Sequence, residues 1–277
     1  MARVAVLGAN GRMGTALIRL IAASDAHQLV AALTEPGDAS VGRDAGLLAG
    51  VDALGVLVTD DLEAALPGPG RGQRGCDVVI DFTAPVAAER HAGVCAAGGY
   101  PLVVGTTGLL PAQLAALESA ARRTAVLYSR NMSLGVAVLT ELVRQATVLL
   151  GPGFDVEITE AHHRGKKDAP SGTALQLGEA VAAARGQHLA DVAVQGRRSL
   201  ATSERPAGAI GFASLRGGAI VGDHTVLLAG DEELLELTHR ATDPALFARG
   251  ALRAAAWLVV GRPPGLYSLR DVLGLRN

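Results

Sequence analysis

The chain has 277 residues, 49% of them hydrophobic and 19% charged, with 25 basic against 27 acidic side chains and a formal net charge of −2. That length suits one or two domains with real cores, and the balanced charge excludes a broadly basic nucleic-acid binder or a protein drawn to an anionic membrane. Two cysteines cannot staple a scaffold, 35 glycines and 12 prolines fall short of a low-complexity chain, and 3% aromatic residues disfavour binding by base stacking.

No apolar run approaches the roughly 18 residues of a membrane span, and no charged-then-apolar leader precedes residues 2–8, so a soluble, cytoplasmic protein is expected. Residues 3–7 read as a short apolar strand, followed at once by Gly8-Ala9-Asn10-Gly11-Arg12-Met13-Gly14 and a helical pattern to Ala23. Further apolar runs at 29–33, 56–58, 78–82, 102–104 and 125–128 are mostly separated by helix-forming stretches. Strands alternating with helices predict a parallel sheet covered on both faces. The Pro- and Gly-rich segment 67–75 offers nothing apolar to bury and reads as a surface loop. Residues 134–150 form a long apolar helix stopped by Gly151-Pro152-Gly153. Strand-like runs at 154–161, 210–215, 219–228 and 234–239 then follow with little helix between the last three, which predicts a second domain with a mixed or antiparallel, open sheet. Residues 243–260 form a last helix, with Asp243 as N-cap and Pro244 at its first position, returning to the first domain.

The glycines at 8, 11 and 14 lie between a strand and a helix, where they let the backbone approach a pyrophosphate at the helix N-terminus. Asn10 stands where the commonest fingerprint has its second glycine, so a tight turn without a ligand is the competing reading. Glu35, beside Thr34, ends the second strand, where an acidic side chain accepts bonds from the adenosine ribose; the alternative is that it merely opens the turn at Pro36-Gly37. Arg12 and Arg43 could instead reach a 2′-phosphate from neighbouring loops. Asp81-Phe82-Thr83, Gly105-Thr106-Thr107-Gly108 and Ser129-Arg130-Asn131-Met132 place small polar groups at three more strand ends, on the nicotinamide side of such a cleft.

The densest chemistry runs from Glu160 to Thr173: His162, His163, Arg164, Lys166 and Lys167 gather two imidazoles and three fixed cations ahead of Ser171-Gly172-Thr173, which opens a helix. Such a loop suits a substrate with two carboxylates, the cations neutralising them and an imidazole supplying a proton near neutral pH. Adjacent histidines on an extended segment point to opposite sides, so no metal is expected. A solvated basic loop is the rival reading.

These motifs, with Gly222-Asp223-His224-Thr225 and Leu237-Thr238-His239-Arg240-Ala241, resemble the 4-hydroxy-tetrahydrodipicolinate (dihydrodipicolinate) reductase family nearly end to end. The resemblance implies a Rossmann-like doubly wound domain over 1–133 and 242–277. It also implies an α+β domain with a mixed sheet over 134–241 that binds substrate, and a cytoplasmic homotetramer of the diaminopimelate and lysine pathway. By similarity His162 is the proton donor and Lys166 a second donor, while His163, Gly172 and Thr173 hold the substrate carboxylates. Gly8, Ala9, Asn10, Gly11, Arg12, Met13, Glu35, Gly105, Thr106, Thr107, Ser129, Arg130, Asn131 and Met132 would contact NADH or NADPH. Thr34 fills the place where family members often carry the acidic residue, so Glu35 stands one residue further on and the cofactor preference is left open. A dehydrogenase of another small acid, or a dinucleotide sensor without turnover, are the other readings of the same residues.

Overall fold

In the computed structural model, residues 1–66, 75–196 and 204–275 are described. The Pro- and Gly-rich segment lies outside them except for Gly75. The chain divides into two compact units, Met1–Met132 with Ala245–Asn277, and Ser133–Pro244.

The first unit runs β1 (Ala2–Leu7), α1 (Arg12–Ala22), β2 (His27–Leu33), α2 (Ala45–Ala49), β3 (Val58–Thr59), α3 (Leu62–Ala65), β4 (Val78–Asp81), α4 (Pro85–Gly98), β5 (Leu102–Val104), α5 (Pro111–Ala121) and β6 (Ala125–Tyr128). The second holds α6 (Leu134–Leu150), β7 (Asp155–His162), α7 (Gly172–Ala184), α8 (Leu189–Val192), β8 (Ala193–Gln195), β9 (Ile210–Arg216), β10 (Gly222–Ala229) and β11 (Leu234–Ala241). The chain then returns to the first unit through α9 (Ala245–Val259), β12 (Gly265–Tyr267) and α10 (Leu269–Val272).

The first sheet has the order β3-β2-β1-β4-β5-β6-β12, and every adjacent pair is parallel. This is the doubly wound arrangement expected, with its crossover direction reversing between β1 and β4, where such sheets open a crevice for ligands. Val4, Ala5, Val6 and Leu7 are wholly buried, as a strand covered on both faces requires. Around them Leu33, Val79, Leu102, Val104, Leu117 and Val126 form one continuous core.

The second sheet, β11-β10-β7-β9-β8, is mixed: β10 runs antiparallel to β7 and β11, while β7, β9 and β8 are parallel. Strand β7 alternates strictly, so Val156, Ile158, Glu160 and His162 share its buried face. Leu139 and Val143 of α6 and Leu177 and Val181 of α7 pack with this face. Ser133 caps α6, its hydroxyl accepting the Val136 N–H at 3.1 Å.

Several boundaries differ from the sequence reading, and two of them bear on how the chain is organised. The third strand is the pair Val58–Thr59 rather than 56–58, because only Ala32 and Leu33 are available as partners on β2. The last long helix begins at Ala245, so Pro244 lies in the turn before it rather than at its first position. No helix among the described residues is long and apolar enough to cross a membrane.

Candidate active site

On the first unit, the ends of β1, β2 and β4 surround a cavity of about 460 Å³ lined by Gly8, Asn10, Gly11, Thr34, Glu35 and Thr83 among others. Two glycines make the turn. A Cβ on Gly14 would stand 2.0 Å from the Gly8 carbonyl oxygen, and one on Gly8 would meet the Phe82 carbonyl oxygen at 2.5 Å. Gly8 also has a φ of +84°, which other residues rarely adopt. The N-cap of α1 is Gly11, which makes no side-chain capping bond, so the first turn presents backbone N–H groups to an anion. Thr34 is buried, and its Oγ1 has no hydrogen-bond partner although it lies on this cavity wall. Buried polar atoms are nearly always paired, so this hydroxyl fits a site completed by a ligand. The residues therefore fit a dinucleotide. A larger cavity, about 590 Å³, includes Ala2, Asp77, Pro101 and Ala125, at or beside the opposite, amino ends of the strands, where parallel sheets do not bind substrates.

Of the residues expected to contact cofactor, Gly8, Asn10, Gly11 and Glu35 line the cavity, whereas Ala9, Arg12, Met13, Gly105–Thr107 and Ser129–Met132 do not. Asn10 turns to Asp38, donating to Oδ2 at 2.8 Å. Thr106 joins the wall indirectly, its hydroxyl accepting the Thr83 N–H at 3.0 Å. The sequence reading missed what anchors them. Asp81 is 1% exposed, and its Oδ1 accepts from the Thr83 N–H and hydroxyl at 2.9 and 2.6 Å while Oδ2 lies 2.8 Å from His91 Nδ1. Met132 is a core residue, 2% exposed.

On the second unit, β7 delivers Glu160 and His162 to one buried face, two residues apart. Arg216 of β9 grips both oxygens of Glu160 at 2.8 Å, and His162 Nδ1 lies 2.6 Å from Oε2. Burial pushes the Glu160 acid up, yet bonds from Arg216, Ser214 and His162 outweigh it and hold its pKa at about 2. The carboxylate is thus ionised and accepts only, so His162 must carry a hydrogen on Nδ1 and exchange its second proton at Nε2. Burial lowers the His162 pKa, Glu160 opposes that shift, and Lys166 and Arg216 add to it.

Gly222 lies against the exchanging nitrogen: a Cβ there would be 3.0 Å from His162 Nε2. His224, opposite Glu160 in the β10–β7 register, packs its ring edge-on to His162 with centroids 5.1 Å apart. Its Nε2 is 3.0 Å from the hydroxyl of Ser171, the N-cap of α7, which itself accepts the Ala174 N–H at 3.2 Å. Gly172 and Thr173 fill the first turn of α7, where the positive end of the helix dipole favours a carboxylate. Lys166 is half-buried and bonds Asp168 at 2.8 Å, whereas Lys167 and His163 are exposed. The structure thus brings His162, Lys166 and the α7 N-terminus onto one end of the second sheet. Arg216 and His224 were not assigned roles in the sequence; they arrive through strand pairing over more than 50 residues.

The His224 pKa is depressed to about 4, chiefly by burial and then by the charge of His162. Between that value and the ordinary 6.5 the unfolded chain binds a proton the folded chain excludes, so stability is fully present above about pH 6.5 and is lost as pH falls towards 4. A loss of about 2 kcal/mol between pH 7 and pH 5 is expected from this residue. Urea midpoints at the two pH values should therefore converge in His224→Gln; an unchanged gap would remove His224 as its source.

A doubly wound sheet with a glycine turn that fits a dinucleotide, together with a second domain carrying a buried histidine held by a carboxylate near fixed cations, defines an oxidoreductase that uses a nicotinamide cofactor on a small acidic substrate. Residues 2–132 match the family model for the N-terminus of dihydrodipicolinate reductase, and residues 135–273 match that for its C-terminus. The chain is 51% identical over 277 residues to a 4-hydroxy-tetrahydrodipicolinate reductase of Anaeromyxobacter dehalogenans, covering 100% of this chain and 99% of the relative. It is 52% identical over 274 residues to the enzyme of the same name from Thiobacillus denitrificans, with 99% of each chain covered. In fold it is similar to the dipicolinate-bound dihydrodipicolinate reductase of Paenisporosarcina sp. TG-14, with a TM-score of 0.74 at 24% identity and 97% of each chain covered. The chain belongs to the dihydrodipicolinate reductase family.

Proposed function

We propose that this chain reduces 4-hydroxy-tetrahydrodipicolinate, or its dehydrated form dihydrodipicolinate, to tetrahydrodipicolinate in the diaminopimelate route to lysine. The observation that carries this reading is the ordered His162, set at the end of β7 beside Lys166 and the N-terminus of α7. The glycine turn of the first unit would hold a reduced nicotinamide cofactor, which when bound would supply the hydride taken up by the conjugated C=N system of the ring. His162 delivers from Nε2 the proton that the resulting electron-rich ring carbon takes up. Lys166 stabilises charge developing on the substrate and serves as a second donor. His163 and the first turn of α7, at Gly172 and Thr173, hold the two carboxylates. The turn from Gly8 to Met13 takes the diphosphate, with Gly105, Thr106, Thr107 and residues 129–132 on the nicotinamide side. The working form is a cytoplasmic homotetramer.

Thr34 and Glu35 line the cavity at the end of β2, the position at which sheets of this kind hold the adenosine ribose. A carboxylate there accepts from ribose hydroxyls and repels a 2′-phosphate, while the nearby Arg90 is already paired with Glu63 at 2.7 Å. NADH should accordingly be used with kcat/KM about tenfold or more above NADPH, since like charges placed together are strongly unfavourable. The test follows loss of nicotinamide absorbance with substrate generated in situ and the two cofactors in parallel. Turnover favouring NADH supports the reading; oxidation of neither cofactor by a protein that still binds them would point to a different small acid as substrate.

A further inference from the structure

We propose that Glu160 is a positioning residue for the reduction, acting through His162; the proposal rests on the reading of His162 as the proton donor. Three contacts fix the imidazole. Glu160 takes its Nδ1 at 2.6 Å, the His224 ring abuts it edge-on at 5.1 Å, and Gly222 packs against its Nε2, where a Cβ would come within 3.0 Å. With both carboxylate oxygens committed to Arg216, Glu160 cannot swing away from the ring. The register explains the arrangement, because Glu160 pairs with Ser214 and His162 with Arg216 along β7 and β9.

A merely structural salt bridge would explain Glu160 less well. The carboxylate side chain is 0% exposed, and a buried ion pair seldom outperforms apolar packing in stability. Arg216 alone would satisfy it, yet the shortest of its bonds goes to the imidazole. That bond fixes which nitrogen carries the exchangeable proton, as carboxylates behind catalytic histidines do. The charges facing His162 are Glu160 on its own strand, Arg216 on β9, His224 on β10 and Lys166 on the following loop. Among these Glu160 is the anion, and it alone favours the protonated ring.

The test compares pH profiles of kcat for the full-length enzyme and for Glu160→Gln, Arg216→Gln and His162→Ala. The glutamine at 160 keeps an oxygen for the Nδ1 hydrogen and removes the charge. Its alkaline limb should move to lower pH by about one unit, with kcat at neutral pH down about 10- to 100-fold, substrate KM within about threefold and NADH affinity unchanged. Arg216→Gln removes a cation that opposes protonation of the ring while leaving Glu160 its bonds to the imidazole and Ser214, and should move the same limb the opposite way, a sign that loss of folding cannot imitate. Coincident profiles for Glu160→Gln and wild type, or movement of both variants in one direction, would overturn the proposal. Full activity in His162→Ala would overturn the donor assignment instead, and so separates the two failures.

Discussion

Replacing His162 with alanine is expected to lower kcat by about 10²- to 10⁴-fold, the range that a positioned general acid supplies. Three features support an effect of that size. The ring is held in one orientation by Glu160 and His224, its Nε2 faces a glycine, and burial keeps bulk water from acting as the proton source in its place. NADH affinity should be unaffected, because the dinucleotide turn belongs to the other unit. The fold should survive, since Glu160 keeps both bonds to Arg216. Stopped-flow turnover together with NADH titration checks this, and a kcat within about threefold of wild type would exclude His162 from proton transfer.

Gly14→Ala carries the second large effect, and it falls on cofactor rather than on chemistry. The added methyl would sit 2.0 Å from the Gly8 carbonyl oxygen and 2.7 Å from the Ala9 Cα, both backbone atoms that no rotamer change can move. The β1–α1 turn must then open, which spoils the approach of backbone to diphosphate; a loss of NADH affinity of about 100-fold or more is expected. The same overpacking should lower stability by about 1–3 kcal/mol. Fluorescence titration of NADH and a thermal melt measure the two effects. Wild-type affinity in a folded variant would show that this turn does not receive the cofactor.

The sequence was most readable where local pattern and tertiary role agree. Residues 102–104, 125–128 and 134–150 were read with the bounds of β5, β6 and α6, because two short apolar runs and one long, mainly apolar segment, each bounded by turn formers, leave few alternatives. Strand β12 was missed: Gly265-Leu266-Tyr267 has no pattern of its own and becomes a strand only by pairing with β6. The site divides the same way. His162, Lys166 and Ser171-Gly172-Thr173 stand within a dozen residues and were visible as a cluster, and the glycine turn was visible as a spacing. Arg216 and His224 reach His162 only through the β7–β9 and β7–β10 registers, which no local pattern encodes. Asp81 was noticed as part of a polar strand end, yet its bond to His91 depends on how α4 packs on the sheet.

The most direct measurement uses NADH bearing deuterium at the transferred position of nicotinamide C4, substrate generated in situ, and mass spectrometry of the product. Tetrahydrodipicolinate carrying that deuterium is the predicted result, and it should be lost in His162→Ala in step with kcat. Unlabelled product, or labelled cofactor that remains unoxidised while the substrate persists, would contradict hydride transfer to this ring by this chain.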